Sequence, residues 1–217
     1  MFDVTTYSLE NIMSKIAIIG ATGRAGSQLL EEALRRGHSV TAIARNASKK
    51  LGERAGVVVK DVDVNDAQAL QDAVTGHDVV LSAAHFSTLP ASAIIEPVKK
   101  AGVKRLLFVG GAGSLLLPGD TKVIDSPGFP DEYRPEATAG GVYLDTLRAE
   151  KELDWTFLSP SAEFVEGERT GKFRLGTDRL LINSEGKSWI SFADFAIAML
   201  DEVEQPQHSR QRFTVGY

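Results

Sequence analysis

The sequence predicts an α/β protein built on a doubly wound, mostly parallel β-sheet. Short apolar segments alternate with amphipathic segments of about 10–15 residues, which is the pattern of βαβ units. Segment 78–84 carries a continuous apolar stretch, as expected for a strand that is covered on both faces. A glycine-rich turn joins the first strand to the first helix. Right-handed crossovers between such units produce a parallel sheet with helices on both sides.

The first βαβ unit is predicted from residues 16–44. β-branched residues indicate a strand over 16–19, which ends at Gly20. The helix predicted over 24–36 has apolar side chains on one face and charged side chains, including Glu32, on the other. Gly37 stands where a left-handed C-cap is expected. A second strand follows over 39–44.

The remaining elements follow from the same signals. Asn65 is predicted to cap a helix that Gly76 closes, and Ser191 to cap the last helix with Asp194 as its capping-box partner. Segments 110–135 and 160–176 are predicted to be loop or irregular. The predicted strands are 16–19, 39–44, 56–60, 78–84, 104–109, 155–159, 180–183 and 212–215. The predicted helices are 24–36, 65–74, 90–101, 136–153 and 192–204.

Length and composition limit the classes of protein that this chain can belong to. The 217 residues carry 24 Lys and Arg against 29 Asp and Glu, and no Cys. This acidic balance disfavours nucleic acid as a partner, and the missing Cys excludes disulfides and thiolate metal sites. No apolar run is long enough for a membrane span, and the first residues do not form a signal peptide. We therefore expect a cytoplasmic protein that is a monomer or a homodimer.

The domain organisation is predicted to be simple. Residues 15–217 form a single domain, with a small C-terminal cap on the substrate side that is continuous with the core. Residues 1–14 form an N-terminal extension that is a candidate for disorder. The sequence leaves open whether residues 1–12 are an added segment or a native arm.

The glycines at positions 20, 23 and 26 form the most informative motif. Gly20, Gly23 and Gly26 lie between a predicted strand and an amphipathic helix, the context in which such glycines bind a dinucleotide. One permits the turn, one lets a pyrophosphate approach the backbone, and one packs the helix against the sheet. The N–H groups at the helix start then bind the diphosphate. The alternative is a plain loop of three glycines, one of which serves as a helix cap.

Arg45 is the clue to which dinucleotide is bound. NAD sites usually carry Asp or Glu at the end of the second strand, where it binds the ribose 2′-OH. Arg45 stands there instead and offers a fork of donors to a 2′-phosphate, with Arg24 as a candidate partner. This favours NADP(H) over NAD(H). The alternative is that both arginines are solvated surface residues.

Seven motifs carry a resemblance to a known family: IIGATGRAG, AIAR, KDVDVND, DVVLSAA, LLFVGGAGSL, WTFLSPSAEF and GERTGKFRLG. With them, residues 15–217 resemble the atypical short-chain dehydrogenase/reductase group, in its NmrA-like and NADH-flavin-reductase-like branch with an NAD(P)-binding Rossmann domain. The resemblance implies a role at the cofactor for fifteen residues. The pyrophosphate contacts would be Gly20, Ala21, Thr22, Gly23, Arg24, Ala25 and Gly26, the adenosine phosphate contact Arg45, the adenine contacts Asp61 and Val62, the ribose contacts Ser82, Ala83 and Ala84, and the nicotinamide contacts Gly110 and Gly111. Asp61 is equally well explained as a polar turn residue.

The candidate catalytic residues are Ser114, His85 and Tyr143. Many short-chain reductases use Tyr-x-x-x-Lys, in which the Lys lowers the pKa of the Tyr, but here Leu147 stands four residues after Tyr143. An ordinary ketone reductase is therefore disfavoured. Ser114 is a candidate hydrogen-bond partner of a substrate carbonyl or of the nicotinamide amide, and His85 a candidate acid. Each has a structural alternative: core packing for Tyr143, a turn hydroxyl for Ser114, and a hydrogen-bonded loop histidine for His85.

The candidate substrate contacts are Phe86, Tyr133, Phe164 and Arg169. The three rings would form a stacking wall, although ordinary packing explains them equally well. Arg169, Lys172 and Arg174 either bind an anionic group such as a flavin phosphate or pair with nearby glutamates. No His or acidic spacing suggests a metal.

The sequence thus favours an NAD(P)H-dependent oxidoreductase that transfers a hydride to a flavin (FMN or FAD as substrate), a quinone or a similar small acceptor. Such a step needs positioning more than acid–base groups. One alternative is a non-catalytic NAD(P)-binding regulatory sensor of the NmrA kind. Another is a sugar-nucleotide epimerase or dehydratase, for which the chain is short and the Tyr–Lys pair is missing.

Overall fold

The computed structural model describes residues 13–217. The predicted extension therefore falls mostly on residues that lie outside the described part of the chain. Ser14 already belongs to the fold, because its N–H donates to His38 Nδ1 (3.2 Å) and its carbonyl accepts from Ser39 N–H. The strands are β1 (Lys15–Ile19), β2 (Ser39–Ala44), β3 (Val57–Asp61), β4 (Val79–Ser82), β5 (Arg105–Val109), β6 (Asp154–Pro160), β7 (Glu163–Val165), β8 (Arg174–Gly176), β9 (Trp189–Ser191) and β10 (Gln211–Gly216). The helices are α1 (Arg24–Arg35), α2 (Ala47–Leu51), α3 (Ala67–Val74), α4 (Ser92–Lys100), α5 (Arg134–Ala149) and α6 (Phe192–Glu204).

The main sheet confirms the predicted doubly wound fold. Its strand order is β3-β2-β1-β4-β5-β6-β10-β8, and every neighbouring pair is parallel except β10 with β8. The chain moves outward from β1 to β3 and then crosses back to β4. This reversal beside β1 is the switch point at which open parallel sheets bind ligands, beyond the carboxyl ends of the strands.

Helices cover both faces of the sheet. Helices α3, α4 and α5 bury Leu70, Ile94 and Leu144 on one face, and α1 and α6 bury Leu29 and Phe195 on the other. A second, smaller sheet consists of β7 and β9, which pair in parallel and come after β6 in the chain. The C-terminal third thus contributes β10 to the main sheet and the β7–β9 pair at the carboxyl edge, in agreement with a cap that is continuous with the core.

Several local predictions need correction. Helix α3 is capped by Asp66, whose side chain accepts from Ala69 N–H (3.0 Å), and not by Asn65. Segment 180–183 is not a strand, and the segment expected to be irregular contains β7 and β8. Ser191 caps α6 as predicted. Asp194 does not complete a capping box, because its carboxylate accepts from the N–H groups of residues 170 and 171 instead.

Glu32 also departs from the prediction, since it is buried instead of exposed on the outer face of α1. Its carboxylate accepts two hydrogen bonds from Arg169 (2.8 and 2.9 Å) and one from Arg36 (2.9 Å). Burial alone would raise the pKa of Glu32, but these hydrogen bonds outweigh it and lower the pKa to about 2. Glu32 therefore stays ionised and ties the segment around residue 169 to α1.

Candidate functional site

The glycine turn after β1 has the geometry of a phosphate-binding turn. Gly20 has φ +78°, and a Cβ there would lie 2.8 Å from the carbonyl oxygen of Ala83. A Cβ on Gly26 would lie 2.1 Å from the carbonyl oxygen of Gly20. Gly20 thus serves the tight turn, and Gly26 serves the close contact between α1 and the turn. Gly23 is the exposed glycine, where the backbone is open to a ligand.

The first turn of α1 leaves its N–H groups available. Gly23 is the N-cap and provides no side-chain hydrogen bond, and no acidic residue lies in the first turn. Ser27 N–H makes the first helical bond, to Gly23 O (2.9 Å). The N–H groups of residues 24–26 therefore point out of the helix end, where the helix dipole favours an anion. These residues fit a diphosphate group.

A cavity of about 630 Å³ opens beside this helix end. It lies beyond the carboxyl ends of β4, β5 and β6 and is bounded by the first turn of α1, the start of α6, β7 and the loop before α5. Its volume falls in the range of small-molecule sites. Its lining residues are Gly23, Arg24, Ala25, Gly26, Ala83, Ala84, His85, Phe86, Val109, Gly110, Gly111, Ala112, Gly113, Val123, Ser126, Pro127, Gly128, Phe129, Pro130, Tyr133, Glu136, Ala137, Ala162, Glu163, Phe164 and Phe192.

Most of the residues predicted to contact the cofactor lie in the glycine turn or in the lining of this cavity. Ala83, Ala84, Gly110 and Gly111 line the cavity, and Ser82 is buried just before them. A Cβ on Gly110 would lie 2.6 Å from the Phe157 ring, so only glycine fits there. Among the residues of the turn, Ala21 is buried, and Thr22 lines a smaller crevice on the other side of Arg24. Contact of these residues with a cofactor stays a prediction.

The two arginines proposed for the 2′-phosphate lie in different places. The Arg24 guanidinium lies 5.5 Å from the centre of the Phe192 ring and lines the cavity. Arg45 is exposed at the end of β2, outside the cavity lining. A joint contact of Arg24 and Arg45 with a 2′-phosphate stays a prediction.

Asp61 and Val62 lie at the end of β3, next to Arg45. The Asp61 carboxylate accepts from Ser48 N–H (2.9 Å) and from the Ser48 hydroxyl, and these hydrogen bonds lower the pKa of Asp61. The side chain therefore holds the start of α2. Val62 N–H donates to the carbonyl oxygen of Ala44 (3.2 Å), so the hydrogen bonding between β3 and β2 continues one residue beyond Asp61.

Tyr143 does not reach the cavity, which corrects its candidacy as a catalytic acid. Its ring is buried, with centroids 4.8 Å from Phe86 and 5.8 Å from Phe108. Burial raises the pKa of Tyr143 to about 12, with a smaller contribution from the Glu136 carboxylate. This is opposite to the lowering that Lys provides in a Tyr–Lys pair. Tyr143 thus has the core-packing role that was its structural alternative, and Leu147 is fully buried in the same core.

Ser114 lies outside the cavity as well, so the expected contact with a substrate carbonyl is corrected. It lines a separate cavity of about 270 Å³ between α5 and β10. Its hydroxyl accepts from Arg212 (3.4 Å), whose guanidinium is also paired with Asp178. The side chain of Ser114 therefore takes part in a polar contact with Arg212, outside the larger cavity.

His85 does line the cavity, and Glu136 accompanies it. His85 Nδ1 lies 3.4 Å from a carboxylate oxygen of Glu136, and its side chain is 79% exposed. Glu136 also accepts from Phe86 N–H (2.7 Å), Ser87 N–H (3.0 Å) and the Ser87 hydroxyl (2.5 Å). Burial alone would raise the pKa of Glu136, but the hydrogen bonds from Ser87 and Phe86 lower it below its ordinary value. Glu136 thus fixes the turn after β4.

Aromatic side chains cover two sides of the cavity. Phe86, Tyr133 and Phe164 line it, as the substrate prediction requires, but their contact with a substrate stays a prediction. Phe129 and Phe192 join them, although sequence reasoning did not single them out. Only their positions, in the long loop before α5 and just after an N-cap, could have indicated this. Phe164 packs on Phe192 with ring centroids 4.3 Å apart, so this wall is preformed.

Arg169 is not a substrate residue in the structure, which corrects that prediction. Its guanidinium is bound to Glu32 on α1, whereas the glutamates proposed as partners in the alternative were Glu166 and Glu168. Arg174 donates to the carbonyl oxygens of Ile182 (2.9 Å) and Tyr217 (2.6 Å). Arg169 therefore ties its segment to α1, and Arg174 joins β8 to the C-terminal residue.

Two further properties concern the described part of the chain. Within residues 13–217, no group of three or more His, Asp or Glu side chains is arranged to hold a metal ion. The helices described here include none with the length and apolar character needed to cross a bilayer.

The fold and the site define a dinucleotide-binding α/β protein of the Rossmann kind. The profile of an NAD(P)H-binding family matches residues 20–206. The chain belongs to this NAD(P)H-binding family, which confirms the resemblance drawn from the motifs.

Relatives and solved structures agree with this assignment. The uncharacterized protein YwnB of Bacillus subtilis is 44% identical over 207 residues, which cover 93% of this chain and 97% of YwnB. A Bacteroides thetaiotaomicron structure described as a "putative epimerase" is 43% identical, has a TM-score of 0.88, and covers 94% of this chain and 97% of its own. A Streptococcus pneumoniae structure described as a "putative NADH-flavin reductase" is 37% identical, has a TM-score of 0.81, and covers 94% of this chain and 99% of its own.

Proposed function

We propose that this protein is an NADPH-dependent reductase that acts on a small molecule with a flat ring, such as a flavin or a quinone. The observation that carries the proposal is that the uncapped start of α1 opens into the cavity that the aromatic side chains line. A diphosphate and a flat ring would therefore lie in one continuous space. The similarity to a flavin-reductase-like structure supports the same chemistry.

The chain's own residues would bind and orient the cofactor. The N–H groups of residues 24–26 donate to the diphosphate, with the Arg24 guanidinium beside them. Arg45 binds the 2′-phosphate, and Asp61 and Val62 flank the adenine. Bound NADPH supplies the hydride.

The acceptor end of the site works mainly by positioning. Gly111 carries no side chain that would keep two rings apart, and the aromatic walls hold the acceptor flat. The proton that accompanies the hydride comes from solvent or from His85, which the Glu136 carboxylate orients. Because no buried acid is required, the loss of the Tyr–Lys pair does not prevent this reaction.

A non-catalytic NAD(P) sensor is the second candidate, and one observation favours it. Tyr143 is buried in the core, and Leu147 takes the place of the lysine, so the usual short-chain reductase chemistry is absent. The same observation argues against a sugar-nucleotide epimerase or dehydratase. For either function we propose a cytoplasmic monomer or homodimer whose site takes small molecules and not nucleic acid.

A steady-state assay tests the proposal. We expect NADPH oxidation when riboflavin, FMN or 2-methyl-1,4-naphthoquinone is added, and little oxidation without an acceptor. The Gly23→Val variant is the matched control, because its side chain would extend from the exposed N-cap into the space for the diphosphate. NADPH binding with no turnover on any acceptor would support the sensor and contradict the reductase.

A further inference from the structure

We propose that the acceptor site selects flat rings without a negative charge, so that riboflavin or a plain quinone binds better than FMN or FAD. The inference rests on the proposed function and goes beyond it by naming the charge of the acceptor. It also revises the sequence-based expectation that a basic segment binds a flavin phosphate.

The ionisable residues of the cavity are unevenly distributed. The described lining includes Arg24, His85, Glu136 and Glu163. Arg24 stands at the helix end where the diphosphate is expected, so a bound dinucleotide would neutralise it. The rest of the described lining then holds two carboxylates and neither Lys nor Arg. Apart from Arg24, negative charge therefore predominates in the described lining.

The arginines considered for a flavin phosphate, and Arg134 beside Tyr133, are held by other groups. The Arg134 guanidinium donates to the carbonyl oxygen of Ile124 (3.0 Å) and lies 5.3 Å from the centre of the Phe129 ring. Arg169 is paired with the buried Glu32, and Arg174 with two main-chain carbonyls. To bind a flavin phosphate, Arg169 would have to give up both of its hydrogen bonds to the buried Glu32 carboxylate.

Two residues with carboxylates line the cavity together with the aromatic rings. Glu136 accepts hydrogen bonds from the turn that carries Phe86, so its charge stays beside that ring. Glu163 precedes Phe164 on β7, and its N–H donates to Ser188 O (2.9 Å), which fixes the backbone of this strand. Each of the two acidic residues thus lies next to a ring of the lining, in sequence or through hydrogen bonds.

These carboxylates repel an acceptor that carries a phosphate, whereas the same ring without phosphate is not repelled. Riboflavin and FMN share the isoalloxazine ring, and FMN adds a phosphate monoester with a charge of about −1.5 to −2 at pH 7. The reaction is the same for both: the ring gains a hydride from NADPH and one proton, and NADP⁺ is released. The two flavins therefore differ mainly in charge, which makes them a matched pair.

Binding measurements test the proposal without turnover. With saturating NADP⁺ and about 20 mM salt, quenching of flavin fluorescence gives the dissociation constants of riboflavin and FMN. We expect FMN to bind about three- to tenfold more weakly, and the ratio to shrink in 0.5 M salt because screening weakens repulsion between charges. Glu163→Gln should lower the ratio about twofold. Glu185→Gln removes an exposed carboxylate outside the cavity lining and should leave the ratio unchanged.

A second pair of acceptors covers the quinones. We expect kcat/KM for 2-methyl-1,4-naphthoquinone to exceed that for a naphthoquinone sulfonate, again with a gap that salt reduces. The proposal is overturned if the charged member of either pair binds or reacts as well as the neutral one, or if Glu163→Gln and Glu185→Gln behave alike. It is also overturned if no flavin or quinone binds. Failure of NADP⁺ to bind would instead contradict the proposed function itself.

Discussion

Gly26→Ala is the substitution that most directly tests the packing of the glycine turn. The added Cβ would lie 2.1 Å from the carbonyl oxygen of Gly20 and 2.8 Å from its carbonyl carbon. Both atoms belong to the backbone, so α1 must move away from the turn by about 1 Å to restore contact distances. Overpacking of this kind costs about 1–3 kcal/mol. Replacing a helical glycine returns about 0.5–1 kcal/mol, so we expect a net loss of about 1–2 kcal/mol in the free energy of unfolding.

Gly141→Ala is the matched control for this prediction. Gly141 lies inside α5, and a Cβ there would meet no atom within 4 Å beyond its own helix. We expect this variant to gain about 0.5–1 kcal/mol of stability and to bind NADPH as the wild type does. Urea denaturation gives the stabilities, and NADPH fluorescence gives the dissociation constants. Gly26→Ala should also bind NADPH at least about tenfold more weakly, or about 1.4 kcal/mol. Wild-type stability and affinity in Gly26→Ala would refute the reasoning.

Three further predictions address individual residues. Arg45→Ala should raise the dissociation constant of NADPH about tenfold more than that of NADH, because only NADPH carries the 2′-phosphate. Lys49→Ala, at an exposed position nearby, is the control. Equal losses of affinity for both nucleotides would contradict the role of Arg45. Glu32 has a pKa of about 2 in the folded protein, against 4.5 ordinarily, so it stabilises the fold above pH 4.5 and loses this effect as the pH falls toward 2. Glu32→Gln should therefore lower the free energy of unfolding by up to about 3 kcal/mol at pH 7 and by clearly less at pH 3.5, and an equal loss at both values would argue against it. Tyr143→Phe should keep kcat/KM within about twofold of the wild type, and a loss above about tenfold would restore Tyr143 as a catalytic acid.

The sequence predicts best what depends on neighbouring residues. The first strand, the glycine turn and α1 are encoded within about 20 residues, so their positions and the expected class of ligand follow from the pattern. The N-cap of α6 at Ser191 also depends on neighbouring residues, and this prediction is confirmed. The wrong choice between Asn65 and Asp66 is a shift of one residue, since both side chains can cap a helix.

Contacts between distant segments could not be predicted in this way. Arg169 bonds to Glu32 across 137 positions, and Glu136 bonds to the turn at Phe86 and Ser87 across about 50. Neither partner carries a local signal that distinguishes it from a solvated surface charge. The sequence therefore indicated the cofactor end of the site, whereas the acceptor end depends on loops that only the tertiary structure brings together.

The start of α1, as the binding site for the diphosphate of NADPH, is the feature on which the proposed function depends most. The most direct measurement is a calorimetric titration of the wild type and of Gly23→Val with NADPH. We predict saturable binding of one NADPH per chain to the wild type and loss of binding in the variant, whose unfolding transition should remain cooperative. Absence of binding to the wild type, or equal binding by both proteins, would contradict the account.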